Sequence, residues 1–218
     1  MICVSAGNIN FTELTELLKS AELTEIRLDL NDFSDEELIT IFTSSAKTIA
    51  TCRPGRFTEE ERIRKLILCM ESGASFVDIE LETEKNSFKR ISELSKKYNC
   101  SLIISHHNFE KTPPLSELKD IYSYCSEKGA DIIKISTLVK DPGDNAKLLS
   151  LYGNSENSGI PPLIVIGMGE KGKITRVSAP FLGAPFTYAS TGRGKETAEG
   201  QIGKSDLEKI YRLIKDEQ

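Results

Sequence analysis

The chain of 218 residues has no tryptophan and only two histidines, and aromatic residues make up just 7% of it. No apolar run approaches the roughly 18 residues that a membrane-spanning helix needs, so we expect no membrane partner. The first residues, MICVSAGNIN, lack the basic segment and long apolar core of a signal peptide. A net charge of −5 argues against nonspecific nucleic-acid binding, although it does not exclude a local basic patch.

Cysteines are few and irregularly placed. The five of them are odd in number and scattered, with no Cys-x-x-Cys pair and no spacing typical of a zinc site. This pattern predicts reduced thiols in a cytoplasmic protein, with neither a disulfide framework nor a metal.

What the chain does contain is a regular alternation of strand-like and helix-like segments. Strands are predicted at 2–6, 25–30, 48–53, 75–81, 101–107, 131–137, 163–168 and 186–190. Helices are predicted between them, three of which begin with capping boxes: Ser34/Glu37, Thr58/Glu61 and Ser205/Glu208. Eight such units favour a compact (β/α)₈ barrel spanning residues 1–218 as one domain, and an open doubly wound sheet is the competing topology.

The strand patterns help to choose between these topologies. In EIRLDL (25–30), three apolar residues alternate with Glu25, Arg27 and Asp29. A parallel strand covered on both faces should not carry three charges, whereas a barrel with a polar lumen permits them. A wet edge strand would explain one such pattern, but at least five strands carry charged or titratable residues near their carboxyl ends. A sheet has only two edges, so the barrel is favoured.

Lys134 lies in the middle of the apolar segment DIIKIST, on the same face as Ser136. One interpretation is structural: a lysine paired with a lumenal carboxylate such as Glu80 or Glu25. The functional interpretation is a desolvated amine beside cations such as Arg27 or Arg53, which would lower its pKa and suit it to form a Schiff base.

The two histidines, His106 and His107, are adjacent, so only one of them faces the lumen. His107 shares its face with Ser105 and lies on the strand next to Lys134. A lone histidine is more often structural, but this position also suits a general acid and base.

Two glycine-rich segments follow the last two strands. GMGEKG matches the spacing of a dinucleotide-binding loop, but no acidic residue ends the next strand, so we expect a tight loop at the barrel mouth instead. STGRGKETAEGQIG (190–203) is either a mobile surface loop or a lid over a ligand.

Eight short motifs, in order along nearly the whole chain, resemble those of the type I 3-dehydroquinate dehydratase family. They are VS (4–5), EIRLD (25–29), TCR (51–53), DIEL (78–81), SHHNF (105–109), IIKIS (132–136), GEKGKITR (169–176) and TAEGQI (197–202). The resemblance implies a (β/α)₈ barrel, a homodimer, no metal and no diffusible cofactor. It also implies syn elimination of water from 3-dehydroquinate to give 3-dehydroshikimate.

The resemblance also implies a role for each matched residue. Lys134 would form an iminium with the substrate ketone, His107 would move the protons, and Arg176 would bind the carboxylate with Gln201 and Thr197. The ring hydroxyls would be bound by Ser5, Glu25, Arg27 and Arg53, and the pocket would be lined by Met168 and Tyr188.

Three departures from the family pattern affect these expectations. Phe57 stands where the family often has an acidic residue that supports the histidine, and Glu59 or Glu60 would have to substitute. Asn108 replaces an aspartate, which could lower the pKa of His107. The chain begins at its first strand, whereas many relatives have an N-terminal hairpin that closes the barrel bottom. In this chain the barrel bottom is therefore either open or closed by side chains.

Two other functions remain open at this level. A Schiff-base aldolase would use the same fold, and many aldolases bind phosphate in loops after the seventh and eighth strands. A barrel that only binds a small acid is the non-enzymatic alternative. The physiological role also stays open between aromatic biosynthesis and quinate breakdown.

Overall fold

A computed structural model describes residues 1–154 and 160–215. Eight strands and eight α-helices alternate within these ranges. The strands are β1 (Ile2–Ala6), β2 (Leu23–Arg27), β3 (Thr48–Thr51), β4 (Phe76–Glu80), β5 (Ser101–Asn108), β6 (Ile132–Leu138), β7 (Leu163–Met168) and β8 (Thr187–Ser190). The helices are α1 (Phe11–Ser20), α2 (Asp35–Phe42), α3 (Glu59–Glu71), α4 (Lys85–Lys97), α5 (Leu115–Glu127), α6 (Pro142–Leu149), α7 (Lys173–Ser178) and α8 (Lys204–Lys215).

The strands form one parallel sheet in the order β7-β6-β5-β4-β3-β2-β1-β8. The first and last strands pair side by side, with Cys3 opposite Tyr188. Only the β7–β8 ladder is missing in the described part of the chain, so the sheet is a nearly closed barrel. This confirms the (β/α)₈ fold and excludes the open doubly wound sheet.

Two apolar clusters lie on either side of the sheet. The larger one packs outward-facing strand residues such as Ile26, Ile133 and Ile135 against the helices. The smaller one fills the amino-terminal half of the lumen and includes Ile103 and Phe186. Side chains therefore occupy the barrel bottom, and the polar lumen residues lie above them.

The predicted Ser34/Glu37 capping box forms completely at the start of α2. At the start of α3 one half of the predicted box forms, since the Thr58 side chain accepts a hydrogen bond from Glu61 N. Asn10 also begins α1 with a complete capping box. The segment between β7 and β8 is the weakest helix, since α7 has six residues between two 3₁₀ turns.

Two predicted boundaries are wrong. β2 ends at Arg27 and residues 28–30 form a turn, so Asp29 is not a lumenal strand residue but an ion-pair partner of Arg27. The Ser205/Glu208 box does not form, because Gly203 bridges to Ser190 and α8 begins directly after it. Residues 216 and 217, predicted to end that last helix, lie outside the described ranges.

Candidate active site

A cavity of about 530 Å³ opens at the carboxyl ends of the strands. This is the end at which (β/α)₈ enzymes hold their active sites. Ten of the eleven predicted site residues line it: Glu25, Arg27, Arg53, His107, Lys134, Met168, Arg176, Tyr188, Thr197 and Gln201. The eleventh, Ser5, lies behind this lining and is bonded to two of its members.

Lys134 is 5% exposed and lies at the inner end of the cavity. Its Nζ is 3.1 Å from Asp78 Oδ2 and 3.7 Å from Glu25 Oε1. The same atom is 4.4 Å from the centre of the Tyr188 ring. The charges in contact with the amine are therefore carboxylates. Of the two partners expected, Glu25 is confirmed, and Asp78 takes the place predicted for Glu80.

Asp78 is the centre of a buried network below the amine. Its Oδ2 accepts hydrogen bonds from both Lys134 and Arg53 Nη2, the latter at 2.8 Å. Its Oδ1 accepts one from Ser105 Oγ at 2.6 Å. Burial alone would raise the pKa of Asp78, but Arg53 and Lys134 overcome this and hold it well below its usual range. An ionised carboxylate therefore links the two cations.

His107 faces the cavity and His106 faces outward, as the strand register predicts. Burial, reinforced by the charge of Arg53, lowers the pKa of His107 to about 4. The imidazole is therefore neutral at neutral pH and able to accept a proton. The Phe109 ring stacks on it at 5.9 Å with an interplanar angle of 11°.

The expected effect of Asn108 on the pKa of His107 comes from the absence of an aspartate charge, and it stays a prediction. The Asn108 amide oxygen accepts hydrogen bonds from the backbone of Glu110 and Lys111, which shapes the turn after β5. Burial and Arg53 are the physical causes of the shift.

Neither predicted substitute for the acidic residue at position 57 contacts His107 in the described structure. Phe57 packs under the cations of Arg56 and Lys65, and Glu59 binds Arg62. The carboxylate beside the imidazole belongs to Glu80, whose Oε1 lies 3.3 Å from His107 Nδ1.

Within the described residues, Arg176 differs from the other cations of the cavity in being buried without an ion-pair partner. It lies on α7 and is 1% exposed, yet its guanidinium forms no ion pair with any carboxylate in the ranges that the structure describes, and its Nε has no hydrogen-bond partner there. Burial lowers its pKa to about 10. A buried and unpaired cation of this kind suits an anionic ligand, since arginine binds carboxylates with two parallel hydrogen bonds.

Three of the four predicted hydroxyl-binding residues, Ser5, Glu25 and Arg27, lie in a second network, whereas Arg53 belongs to the network of Asp78. Glu25 accepts hydrogen bonds from Ser5 and from Thr51, which is 3.0 Å away. Arg27 binds Asp29 through both Nε and Nη2, at 3.0 and 2.6 Å. These contacts hold Glu25 and Arg27 in fixed orientations at the cavity wall. Sequence reasoning missed Thr51, because a threonine in a strand carries no signal of its own.

The glycine-rich segment after β8 lies over this network. Thr197 receives a hydrogen bond from Gln201 Nε2 at 3.0 Å and shares a 2.7 Å hydrogen bond with Ser5. The backbone of Gly169 donates to Glu199 O at 3.3 Å. The segment is therefore docked on the cavity mouth, against the tight loop that GMGEKG forms as predicted.

Within the described residues, no group of three or more histidine, cysteine or acidic side chains is arranged to hold a metal ion. No helix there is long and apolar enough to cross a membrane.

The chain is similar to known proteins over its whole length. The family model for type I 3-dehydroquinase matches residues 3–218. A 3-dehydroquinate dehydratase of Methanococcus maripaludis is 37% identical over 228 residues, covering 98% of this chain and 100% of that protein. The crystal structure of the 3-dehydroquinate dehydratase from Aquifex aeolicus is 28% identical, with a TM-score of 0.82 over 98% of each chain. A type I enzyme structure from Clostridium difficile shares the fold, with a TM-score of 0.85 at 20% identity and coverage of 100% and 92%.

Proposed function

Because the chain belongs to the type I 3-dehydroquinase family, we propose that its cavity converts 3-dehydroquinate to 3-dehydroshikimate through a lysine Schiff base. The protein is a 3-dehydroquinate dehydratase, a hydro-lyase. The observation that carries the proposed mechanism is the content of one cavity: a buried amine, a neutral imidazole and an unpaired guanidinium.

The first step forms the iminium on Lys134. Lys134 Nζ adds to the C3 ketone, and two of its three protons leave with the carbonyl oxygen as water while the carbon–nitrogen double bond forms. The third proton and the positive charge stay on nitrogen. The iminium nitrogen keeps a positive charge, so Asp78 and Glu25, 3.1 and 3.7 Å from Nζ in the free protein, remain favourable partners. The charge makes the adjacent C2 proton more acidic, because the electrons released there can move onto nitrogen.

His107 then acts twice. As a neutral base it removes a C2 proton, and the electron pair forms an enamine. The enamine expels the C1 hydroxyl, which receives the same proton from the imidazolium and leaves as water. A pKa near 4 makes the imidazole a weak base but its conjugate acid a strong proton donor, which favours the second transfer. A single imidazole can reach both the C2 proton and the C1 hydroxyl only if they lie on the same face of the ring. A syn elimination has this geometry.

The remaining residues hold the substrate in register. Arg176 pairs with the C1 carboxylate, and Gln201 and Thr197 of the docked segment cover the same end. The ring hydroxyls bind to Glu25, Arg27, Arg53 and Ser5, and Met168 and Tyr188 form the apolar wall. Fixing a small ring at several points brings C2 within reach of the imidazole, which is a large part of what such sites contribute to rate.

The proposal is tested by adding 3-dehydroquinate and following the absorbance of the conjugated enone product. We expect turnover by the wild-type protein and none by Lys134→Met. An active-site-competent protein without turnover would overturn the proposal and leave the aldolase and the non-enzymatic binder as alternatives. The homodimer, the cytoplasmic location and the place in aromatic biosynthesis remain predictions, the first of which sedimentation tests.

A further inference from the structure

Glu80 is the one carboxylate beside the imidazole of His107 in the described chain. It ends β4, where it lies on the lumen face next to Ser105 of β5. No role follows for it from the family motifs that point to Lys134 and His107. We propose that Glu80 is the positioning residue for His107, a role that rests on the function proposed above for the imidazole.

The geometry distinguishes the two nitrogens of the ring. Nδ1 of His107 is buried and has no aligned hydrogen bond, and Glu80 Oε1 lies 3.3 Å away from it. A small rotation brings the carboxylate into line to accept a hydrogen bond from Nδ1–H. This bond fixes the tautomer that leaves Nε2 unprotonated and free to take the substrate proton.

Glu80 is itself held in place. Arg53 Nη1 lies 3.6 Å from Glu80 Oε1 on one side, and His107 lies on the other. Burial would raise the pKa of Glu80, but His107 and Arg53 lower it below its usual value, so the group is ionised at neutral pH. The stacked ring of Phe109 limits movement of the imidazole out of its ring plane.

Four charged groups face His107 from three strands or their ends. Arg53 follows β3, Asp78 and Glu80 lie on β4, and Lys134 lies on β6. Burial and the two cations disfavour the imidazolium, and the two carboxylates favour it. Asp78 is bonded to both cations, so Glu80 is the carboxylate that supports a proton on His107 as it is transferred.

The adjacent histidine provides a matched control. His106 Nδ1 contacts Glu82, which lies in the turn after β4, so the two adjacent histidines of β5 each contact one carboxylate. Glu80→Gln removes the charge of the inner contact, and Glu82→Gln removes that of the outer one. If Glu80 acts in catalysis, only Glu80→Gln should lower activity. If the loss of a carboxylate beside β5 disturbs the β4–β5 pair in general, both variants should lower it.

We expect Glu80→Gln to lower kcat by about 10- to 100-fold, the size typical for partners that orient an imidazole. KM should change less than about threefold, and borohydride should still trap the ligand on Lys134. Glu80→Asp should restore part of kcat, and Glu82→Gln should match the wild type. The chain has only two histidines, so a His106→Gln background leaves a single imidazole whose pKa can be read by NMR. Glu80→Gln should lower that pKa.

An unchanged kcat together with an unchanged imidazole pKa in folded Glu80→Gln would overturn the inference. Loss of borohydride trapping in this variant would also overturn it, since Glu80 would then act on Lys134 or on the ligand. The NMR titration needs no substrate, so it decides the question even if the variant is inactive. Absence of enone formation by the wild type would instead refute the proposed function.

Discussion

Arg176 should cost the free protein stability, because its charge is buried without a partner. Burial lowers its pKa from the usual value of an arginine to about 10, a fall of about two units. Each pKa unit corresponds to about 1.36 kcal/mol, so burial disfavours the charged form by about 3 kcal/mol. Replacing Arg176 with methionine removes the charge and keeps most of the apolar stem. We therefore expect the free energy of unfolding to rise by up to about 3 kcal/mol, less the cost of any cavity left behind.

The same change should abolish carboxylate binding. Two charge-assisted hydrogen bonds contribute about 3–6 kcal/mol together, so kcat/KM should fall by about 10²- to 10⁴-fold. The product should raise the melting temperature of the wild type but not of the variant, since ligand binding stabilises only a protein that binds. Urea unfolding measures the first effect and thermal scans with product measure the second.

Arg62 provides the matched control for this prediction. It is 2% exposed, but it binds Glu59 through Nε and Nη2 and donates to Cys52 O at 3.2 Å. Arg62→Met should therefore destabilise the protein, by about 1–3 kcal/mol for the polar groups left unpaired. The two substitutions are therefore expected to change the free energy of unfolding in opposite directions. A fall of about 2 kcal/mol or more in the free energy of unfolding of Arg176→Met would contradict this prediction, since it would mean that the guanidinium is paired in the free protein.

Three further predictions concern other parts of the site. His107→Ala should retain borohydride trapping but lose most of the elimination rate, as read by intact mass and enone formation, and greater damage from His106→Ala would contradict the strand register. Asp78→Asn should lower the free energy of unfolding by about 3–5 kcal/mol in urea, because two buried cations lose their common partner; a stable variant would contradict the buried network. Gly200→Ala places a methyl group 2.3 Å from a backbone oxygen at φ +75, so the docked segment should lift and KM should rise, whereas Gly192→Ala meets open space and should leave KM unchanged.

Period-two alternation was sufficient to predict which strand residues face the lumen. Lys134, His107 and Glu25 lie in the cavity, because a parallel barrel strand has only two faces and the helices require the apolar one. Asp29 is the exception, because the alternation of apolar and charged residues continues there from the strand into a turn. Its charge is not lumenal, and it serves to hold Arg27.

The pairing of charges inside the lumen was beyond the sequence pattern. Lys134 contacts Asp78 rather than Glu80, although the strand register aligns Glu80 with Ser105 and Ser105 with Lys134, so the pairing could not be predicted from the strand patterns. The low pKa of His107 likewise depends on burial and on Arg53, which follows β3. Arg176 was assigned by resemblance alone, since its lack of a partner appears only when the surrounding elements are assembled.

The proposed mechanism depends on a covalent iminium between Lys134 and the substrate ketone. The most direct test is the intact mass of the protein after incubation with 3-dehydroquinate and sodium borohydride, followed by peptide mapping. We predict one reduced ligand per chain, attached to Lys134 and absent from folded Lys134→Met. Enone formation without any trapped ligand, or a ligand attached to another lysine, would contradict an iminium on Lys134.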